Sequence, residues 1–310
     1  MRLGVSGASG FVGRSLCAYA EQQGMMVTPL NRATIGNLAS QGPAIELPPL
    51  DALVHLAALT HSTPVGADGT LRRYRNMNVR GTERLLNASL EAGIRHFVFV
   101  SSVKVNGEAT ADGCPFTEQD EPRPEDAYGR SKLEAERVVR EFCDAHEIEW
   151  TIIRPPLVYG VGATANFAAL RRLALSPLPL PLAGFGAPRS FIFVENLADL
   201  ICETLKNPAA RRQVYLVSDG QDATVAELVA MMRQCLGRSS KFFSIPAWMW
   251  ESLSRIPPIS RRLRKIGNGL QIKPEHAVKT LGWVAPYTLA EGISLSLGHV
   301  EDPTRPRKLS

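Results

Sequence analysis

A chain of 310 residues, 45% hydrophobic and 21% charged, has the composition of a globular protein with room for one large domain or two closely packed ones. Its net charge of +5 is mild, and its dense basic run, "SRRLRK" from Ser260 to Lys265, carries no nucleic-acid motif, which argues against nucleic acid as partner. Five scattered cysteines without a CxxC pair argue against a disulfide framework, six histidines show no metal-ligand spacing, and no apolar run reaches a membrane span.

"RLGVSGASGFVG" begins as a short apolar strand and turns through Gly7, Gly10 and Gly13. It then enters "RSLCAYAEQQG", whose apolar residues recur at helical spacing up to a terminating Gly24. "MMVTPL" predicts a second strand, and "ALVHLAA", Ala52 to Ala58, a continuous apolar strand covered on both faces. A long helix is expected over "YRNMNVRGTERLLNASLEAG". "RHFVFVSS" follows as a buried strand, "AYGRSKLEAERVVREFCDAH" as a helix and "EWTIIRP" as a strand. Strand and helix thus alternate over roughly the first 155 residues, which predicts a doubly wound parallel sheet with right-handed crossovers.

After Pro155 the texture changes, and "SPLPLPLAGFGAP" is rich in proline and glycine. The helix "VENLADLICETLKN" is expected to return to the sheet. "QVYLVSDG" predicts a strand and "TVAELVAMMRQCLG" a helix. "IPAWMWESLSRIPPISRRLRKIG" mixes aromatic and basic residues. Pro257 and Pro258 interrupt it, so packing in a second region is expected rather than a membrane-surface helix. The division expected is a dinucleotide-binding domain over 1–160, with 190–212 returning to it, a mainly substrate-binding region over 161–300 and a loose tail over 301–310. "MRLGVSGASG" has no leader-peptide core, so a cytoplasmic setting is expected, and His55 and His61, six apart across an apolar segment, are not expected to hold a metal.

The glycine loop lies between a strand and a helix, where tight turning and unpaired helix N–H groups suit a diphosphate. An acid about 20 residues beyond such a loop would hold the ribose of NAD. Here Asn31 and Arg32 stand at that place, and the arginine suits the extra phosphate of NADP, so NADP(H) is favoured with NAD(H) as the alternative. In "DAYGRSKLEAE", Tyr128 and Lys132 are four apart and share a helix face. Lowering a phenol's pKa of about 10 by roughly 2–3 units takes about 3–4 kcal/mol. One positive charge at ~4 Å in an effective dielectric of about 20 supplies about 4 kcal/mol. Lys132 is therefore expected to turn Tyr128 into a usable acid–base group. Ser101 and Ser102 end a buried strand, where a hydroxyl can bond a developing alkoxide.

The glycine loop, the strand-end serine and YxxxK, in this order and spacing, resemble the extended short-chain dehydrogenase/reductase family, in its sugar-nucleotide epimerase, dehydratase and reductase branch, over nearly the whole chain. The resemblance implies an α/β fold, a Rossmann doubly wound parallel sheet with a smaller C-terminal α/β substrate-binding region. "SGASGFVG" implies cofactor contacts at Gly7, Ser9, Gly10, Phe11, Val12 and Gly13, joined by Asn31 and Arg32. "HLAA" implies contacts near the adenosine at Leu56, Ala57 and Ala58, "NVRGT" implies Asn78, and "IIRPPLVYG" implies Pro155 beside the nicotinamide. Counting back from "VNG" makes Ser102 the active serine, with Tyr128 and Lys132 completing the catalytic set and also meeting the cofactor. Asn106 stands where the UDP-hexose 4-epimerases usually carry a tyrosine, which predicts a different pocket near the sugar. For the substrate, Asn166 and Arg189 would bind the diphosphate, the arginine by charge-assisted hydrogen bonds.

Three functions are weighed. The first is NADPH-dependent reduction of a nucleotide-linked 4-keto sugar, of the UDP-4-keto-6-deoxy-N-acetylhexosamine type, in surface-polysaccharide (O-antigen, lipopolysaccharide) synthesis. The second is a UDP-hexose 4-epimerase with retained NAD, and the third a dinucleotide-binding sensor without turnover. A dehydratase would carry an acid pair beside the serine, and here Val103 and Lys104 follow Ser102. The branch also implies a homodimer through the helices bearing Asn78 and Tyr128.

Overall fold

The computed structural model describes residues 1–40, 42–60, 66–163, 166–183, 186–244 and 267–298. His61, the aromatic and basic stretch over 245–266 and the C-terminal tail lie outside the described residues.

Six strands form one parallel sheet: β1 (Arg2–Ser6), β2 (Met26–Leu30), β3 (Ala52–His55), β4 (His96–Val100), β5 (Glu149–Arg154) and β8 (Gln213–Leu216), in the order β2-β1-β3-β4-β5-β8. The strands β1, β3, β4 and β5 are almost wholly buried runs, because helices cover both faces of the sheet. Side-chain alternation divides each strand between two cores. Leu3, Val5, Val54, Val98 and Ile153 pack against α1 (Phe11–Gln22) and α7 (Val194–Lys206). Leu53, Phe97, Phe99 and Ile152 pack against α4 (Gly81–Glu91) and α5 (Ala127–Ala145). Pro29 is accommodated because β2 is an edge strand whose only described partner is β1.

Strand order reverses between β1 and β3, so the crevice at their C-terminal ends is the place where such sheets bind ligands. The long helix expected from Tyr74 onward is the end of α3 (Gly66–Arg75), which begins eight residues earlier, then a π-helical turn (Asn76–Arg80) and α4. The wider turn carries Asn78 into the interior.

A second layer is built on a small parallel pair, β6 (Leu157–Tyr159) and β7 (Phe191–Phe193). Around it lie α6 (Asn166–Leu175), α8 (Val225–Cys235) and α10 (Leu289–Ser296), sharing Tyr159, Phe167, Phe193, Leu228 and Ile293 as core. Helix α9 (Glu275–Leu281) joins the main core through Ala277. The helix expected to return to the sheet is α7, tied to α1 by Tyr19, whose hydroxyl donates to Asp199 at 2.6 Å.

Candidate active site

The glycine loop and α1 form the first wall. Gly7 has φ +74°, and a Cβ there would stand 2.7 Å from the Ala57 nitrogen, so only glycine allows the loop to lie against the segment leaving β3. Helix α1 starts at Gly10 with no side-chain cap and no acid in its first turn. Its leading N–H groups and dipole are therefore left for an anion, and these residues fit a dinucleotide diphosphate. Arg32 stands two residues past the end of β2, exposed, with β2 paired beside β1. Asn31 spends its side-chain oxygen on capping the short helix α2 (Arg32–Ile35), accepting from Ala33 N–H at 2.8 Å and Thr34 N–H at 3.3 Å.

Behind that wall a polar relay crosses the interior. The Thr82 hydroxyl donates to the Asn78 carbonyl at 2.7 Å and lies 3.0 Å from His55 Nε2, while His55 Nδ1 lies 2.6 Å from Ser6 Oγ. Thr82's proton is committed, so Nε2 carries the histidine proton and Nδ1 accepts from Ser6. Burial, then the Lys132 charge, pulls His55 down to about 3. It is a neutral, fully bonded core histidine. The Asn78 amide accepts from Leu59 N–H at 2.8 Å and donates to Leu59 O at 3.1 Å and to Ser131 Oγ at 2.9 Å. With 1% of its surface exposed, Asn78 holds the segment leaving β3 against α5, a positioning role where a cofactor contact was expected. Among the described residues no group of three side chains could hold a metal ion.

Tyr128, Lys132 and Ser102 come together at the C-terminal end of β4. Asp126 caps α5 by accepting from Gly129 N–H at 2.6 Å. A Cβ at Gly129 would lie 2.6 Å from the Lys104 carbonyl, so glycine lets the start of α5 settle on the turn that carries Ser102. Tyr128 is half-buried there and shares a hydrogen bond with Ser102, and its ring lies 5.9 Å from that of Tyr74. Ser101, by contrast, is buried with its hydroxyl unpaired among the described residues. The active-serine expectation thus falls on the residue that touches the phenol.

The expected tuning of Tyr128 by Lys132 does not appear. Burial raises the phenol's pKa, the Asp126 and Tyr74 charges raise it further, and the hydrogen bond from Ser102 is what opposes them. The Lys132 ammonium instead donates to the Val100 carbonyl at 2.8 Å and sits 4.2 Å from the Phe99 ring centre. Burial brings Lys132 itself down to about 7. The Coulomb argument omitted desolvation, which disfavours both charged forms and is the first cause of the shift at each. A consequence is testable. A lysine at about 7 folded and 10.5 unfolded binds fewer protons when folded, so it adds stability as pH rises across that window and its full penalty stands below it. Lys132→Met is expected to be more stable than the parent near neutrality by about 1–3 kcal/mol, the gap closing by about pH 10 in urea titrations. A gap that does not change with pH would contradict the assignment.

Arg189, expected to grip the substrate diphosphate, is set by two backbone bonds with Ala223, both 3.0 Å, and its half-buried side chain lies under the influence of Glu108. Pro155 is buried, and its carbonyl accepts from Val103 N–H at 3.0 Å, fastening the end of β5 to the serine turn. Asn106, expected to reshape the sugar pocket, is 2% exposed and accepts from Arg154 at 3.1 Å, so it belongs to the interior. Asn166 begins α6, and its side chain is outside the described residues. An open cavity of about 420 Å³ beside Arg2, Asp51 and Arg95 lies at the N-terminal ends of the strands, the opposite edge from this constellation. Sequence reasoning passed over Asp126 and Tyr74 and gave Lys104 no role of its own; of these Asp126, two residues before the tyrosine as a helix cap, carried a readable signal.

A family model described as "NAD dependent epimerase/dehydratase family" matches residues 3–218. The UDP-glucose 4-epimerase of Vibrio cholerae is 39% identical over 241 residues, 77% of this chain and 74% of that protein. The N-acetyl-alpha-D-glucosaminyl-diphospho-ditrans,octacis-undecaprenol 4-epimerase of Escherichia coli O157:H7 is 30% identical over 320 residues, 94% of this chain and 92% of that protein. Among solved structures, RMD from Pseudomonas aeruginosa complexed with NADPH superposes with a TM-score of 0.76 at 22% identity, covering 96% of this chain and 98% of that one.

Proposed function

The chain belongs to the NAD dependent epimerase/dehydratase family, and we propose that within it this enzyme reduces a nucleotide-linked 4-keto sugar, of the UDP-4-keto-6-deoxy-N-acetylhexosamine type, with NADPH. That the chain is an NAD(P)-dependent enzyme of the sugar-nucleotide epimerase and reductase kind follows from the family. The finer reading is carried by Arg32, exposed beside the glycine loop where an acid would select NAD. When bound, the nicotinamide supplies hydride. Gly7, Ser9, Gly10, Phe11, Val12 and Gly13 would cradle its diphosphate. Leu56, Ala57 and Ala58 would lie along the adenosine side.

The residues of the chain then do the rest. Tyr128 delivers its proton to the sugar O4 as charge develops there, and burial keeps the phenol protonated until that moment. Ser102 bonds the same oxygen and orients the phenol. Lys132 spends one N–H on Val100, leaving two for the nicotinamide ribose hydroxyls. Arg189 would grip the substrate diphosphate. Lys104, where a dehydratase carries an acid, is committed to Glu108 and Asp126 and offers no base for elimination.

A second reading, 4-epimerisation of a UDP-hexose, is favoured by the 39% identity to the Vibrio cholerae epimerase. It uses the same three residues, the hydride returning to the opposite face. The two separate in one assay. Stoichiometric NADPH consumption with the UDP-4-keto-6-deoxy-N-acetylhexosamine, and no interconversion of UDP-glucose and UDP-galactose, supports reduction. Protein purified with NAD bound, interconverting the UDP-hexoses without net NADPH use, supports epimerisation.

A further inference from the structure

A string of alternating charges runs from the phenol to the substrate arginine. Lys104, on the single-turn 3₁₀ helix Val103–Val105 after Ser102, points its ammonium at two carboxylates, 2.5 Å from Asp126 Oδ2 and 2.9 Å from Glu108 Oε1. Asp126 uses its other oxygen to cap the helix that begins with Ala127 and Tyr128. Glu108 in turn acts on Arg189. As a contribution to fold stability this partly exposed cluster is worth little, since pairs with about a third of each side chain in solvent are screened. Its position two residues from Tyr128 is what gives it leverage.

We propose that Lys104 is a positioning residue for the acid–base chemistry, holding the Asp126 carboxylate in an ion pair so that its charge bears less on the Tyr128 phenol. The proposal rests on Tyr128 being the proton donor. The groups that face the phenol are Ser102 from the turn after β4, Tyr74 from α3 and Asp126 from the start of α5, with Lys132 one turn along the same helix. Those that face Asp126 are Lys104, Glu108 and the Gly129 N–H, and Glu125 lies on the Glu108 N–H. Burial alone would raise Asp126; its bonds to Lys104 and Gly129 more than offset this and hold it charged. Lys104, which burial would lower, is held above its ordinary value by Asp126 and Glu108. With the ammonium removed, the carboxylate's field falls undiminished on the phenol and disfavours the phenolate.

The test is the pH dependence, on the alkaline side and so above the titration of Lys132, of kcat/KM for oxidation of a UDP-2-acetamido-2,6-dideoxyhexose at saturating NADP, the direction that needs the phenolate and so gains rate as pH climbs toward the phenol's raised pKa. Lys104→Met is expected to move that rise up by about one pH unit, a roughly tenfold fall in rate on the limb. Asp126→Asn keeps a good helix cap while removing the charge and is expected to move the rise down. The double variant is expected to follow Asp126→Asn, and Lys104→Arg to keep the parental limb. Rates that fall in Lys104→Met with the limb at its parental pH, and a limb unmoved in Asp126→Asn, would overturn the proposal. Tyr128→Phe run alongside separates the two levels. An inactive Tyr128→Phe with an unmoved limb in Lys104→Met sinks only the role of Lys104, whereas an active Tyr128→Phe sinks the proton donor as well.

Discussion

Tyr128→Phe is expected to lower kcat by about 10²–10⁴-fold while leaving KM for the nucleotide sugar within a few-fold, because it deletes the group proposed to deliver the proton and no group proposed to bind the diphosphate. The physical reason lies in the raised pKa. A phenol that burial and the Asp126 charge hold in its acid form has its proton available over the whole neutral range. Phenylalanine fills the same space against Tyr74 and forfeits only the hydrogen bond with Ser102. Urea unfolding should therefore show a stability change within about 1 kcal/mol. Ser102→Ala removes one donor and is expected to cost less than the tyrosine, about 10²-fold. A Tyr128→Phe protein with parental kcat, or one whose loss of rate follows from unfolding, would remove the acid–base assignment.

The largest stability effect is expected behind the site, at Glu136. Arg154 grips it from β5 in a two-pronged ion pair, 2.9 Å from Nε and 2.6 Å from Nη2, and both side chains are nearly sealed from solvent. Arg154 also donates to Asn106 at 3.1 Å, and Arg140 approaches Glu136 at 3.6 Å. Glu136→Ala leaves the guanidinium buried without its counter-charge and is expected to destabilise by about 3–5 kcal/mol in urea or guanidinium unfolding. Glu136→Leu combined with Arg154→Met removes both charges and is expected to recover most of that loss, since a buried pair and its apolar replacement come out nearly even. Glu136 lies on the same helix as Tyr128, two turns beyond it, so kcat of the single variant should fall with stability. A single variant within 1 kcal/mol of the parent would mean that water reaches the pair.

Much of this fold was readable because its apolar patterns coincide with it. The unbroken apolar runs at Ala52–His55 and His96–Val100 mark strands covered on both faces, and the helix expected over "AYGRSKLEAERVVREFCDAH" matches α5 to within one residue. The small sheet of β6 and β7 was not anticipated. Its strands have three residues each, too short to show alternation, and they pair across the intervening chain from 160 to 190, which carries the proline-rich stretch. The π-helical turn at Asn76–Arg80 was equally silent, because its apolar pattern is that of a continuous helix. At the site, the sequence placed Tyr128, Lys132 and Ser102 together through order and spacing. It misjudged the electrostatics between them, since a dielectric assigned from a surface pair takes no account of an ammonium that is 2% exposed. Lys104 was read only as the absence of a dehydratase acid. Its partners, Glu108 four residues on and Asp126 beyond a loop, are brought together by tertiary structure.

The most direct measurement of the central claim follows the hydride. Reduction of the UDP-4-keto-6-deoxy-N-acetylhexosamine is run with NADPH carrying deuterium at the transferable position of its nicotinamide, and the product is read by NMR and mass spectrometry. Deuterium at C4 of the sugar, at one per molecule and absent with Tyr128→Phe, is the expected result. Product formed without deuterium at C4, or deuterium at another carbon, would contradict it.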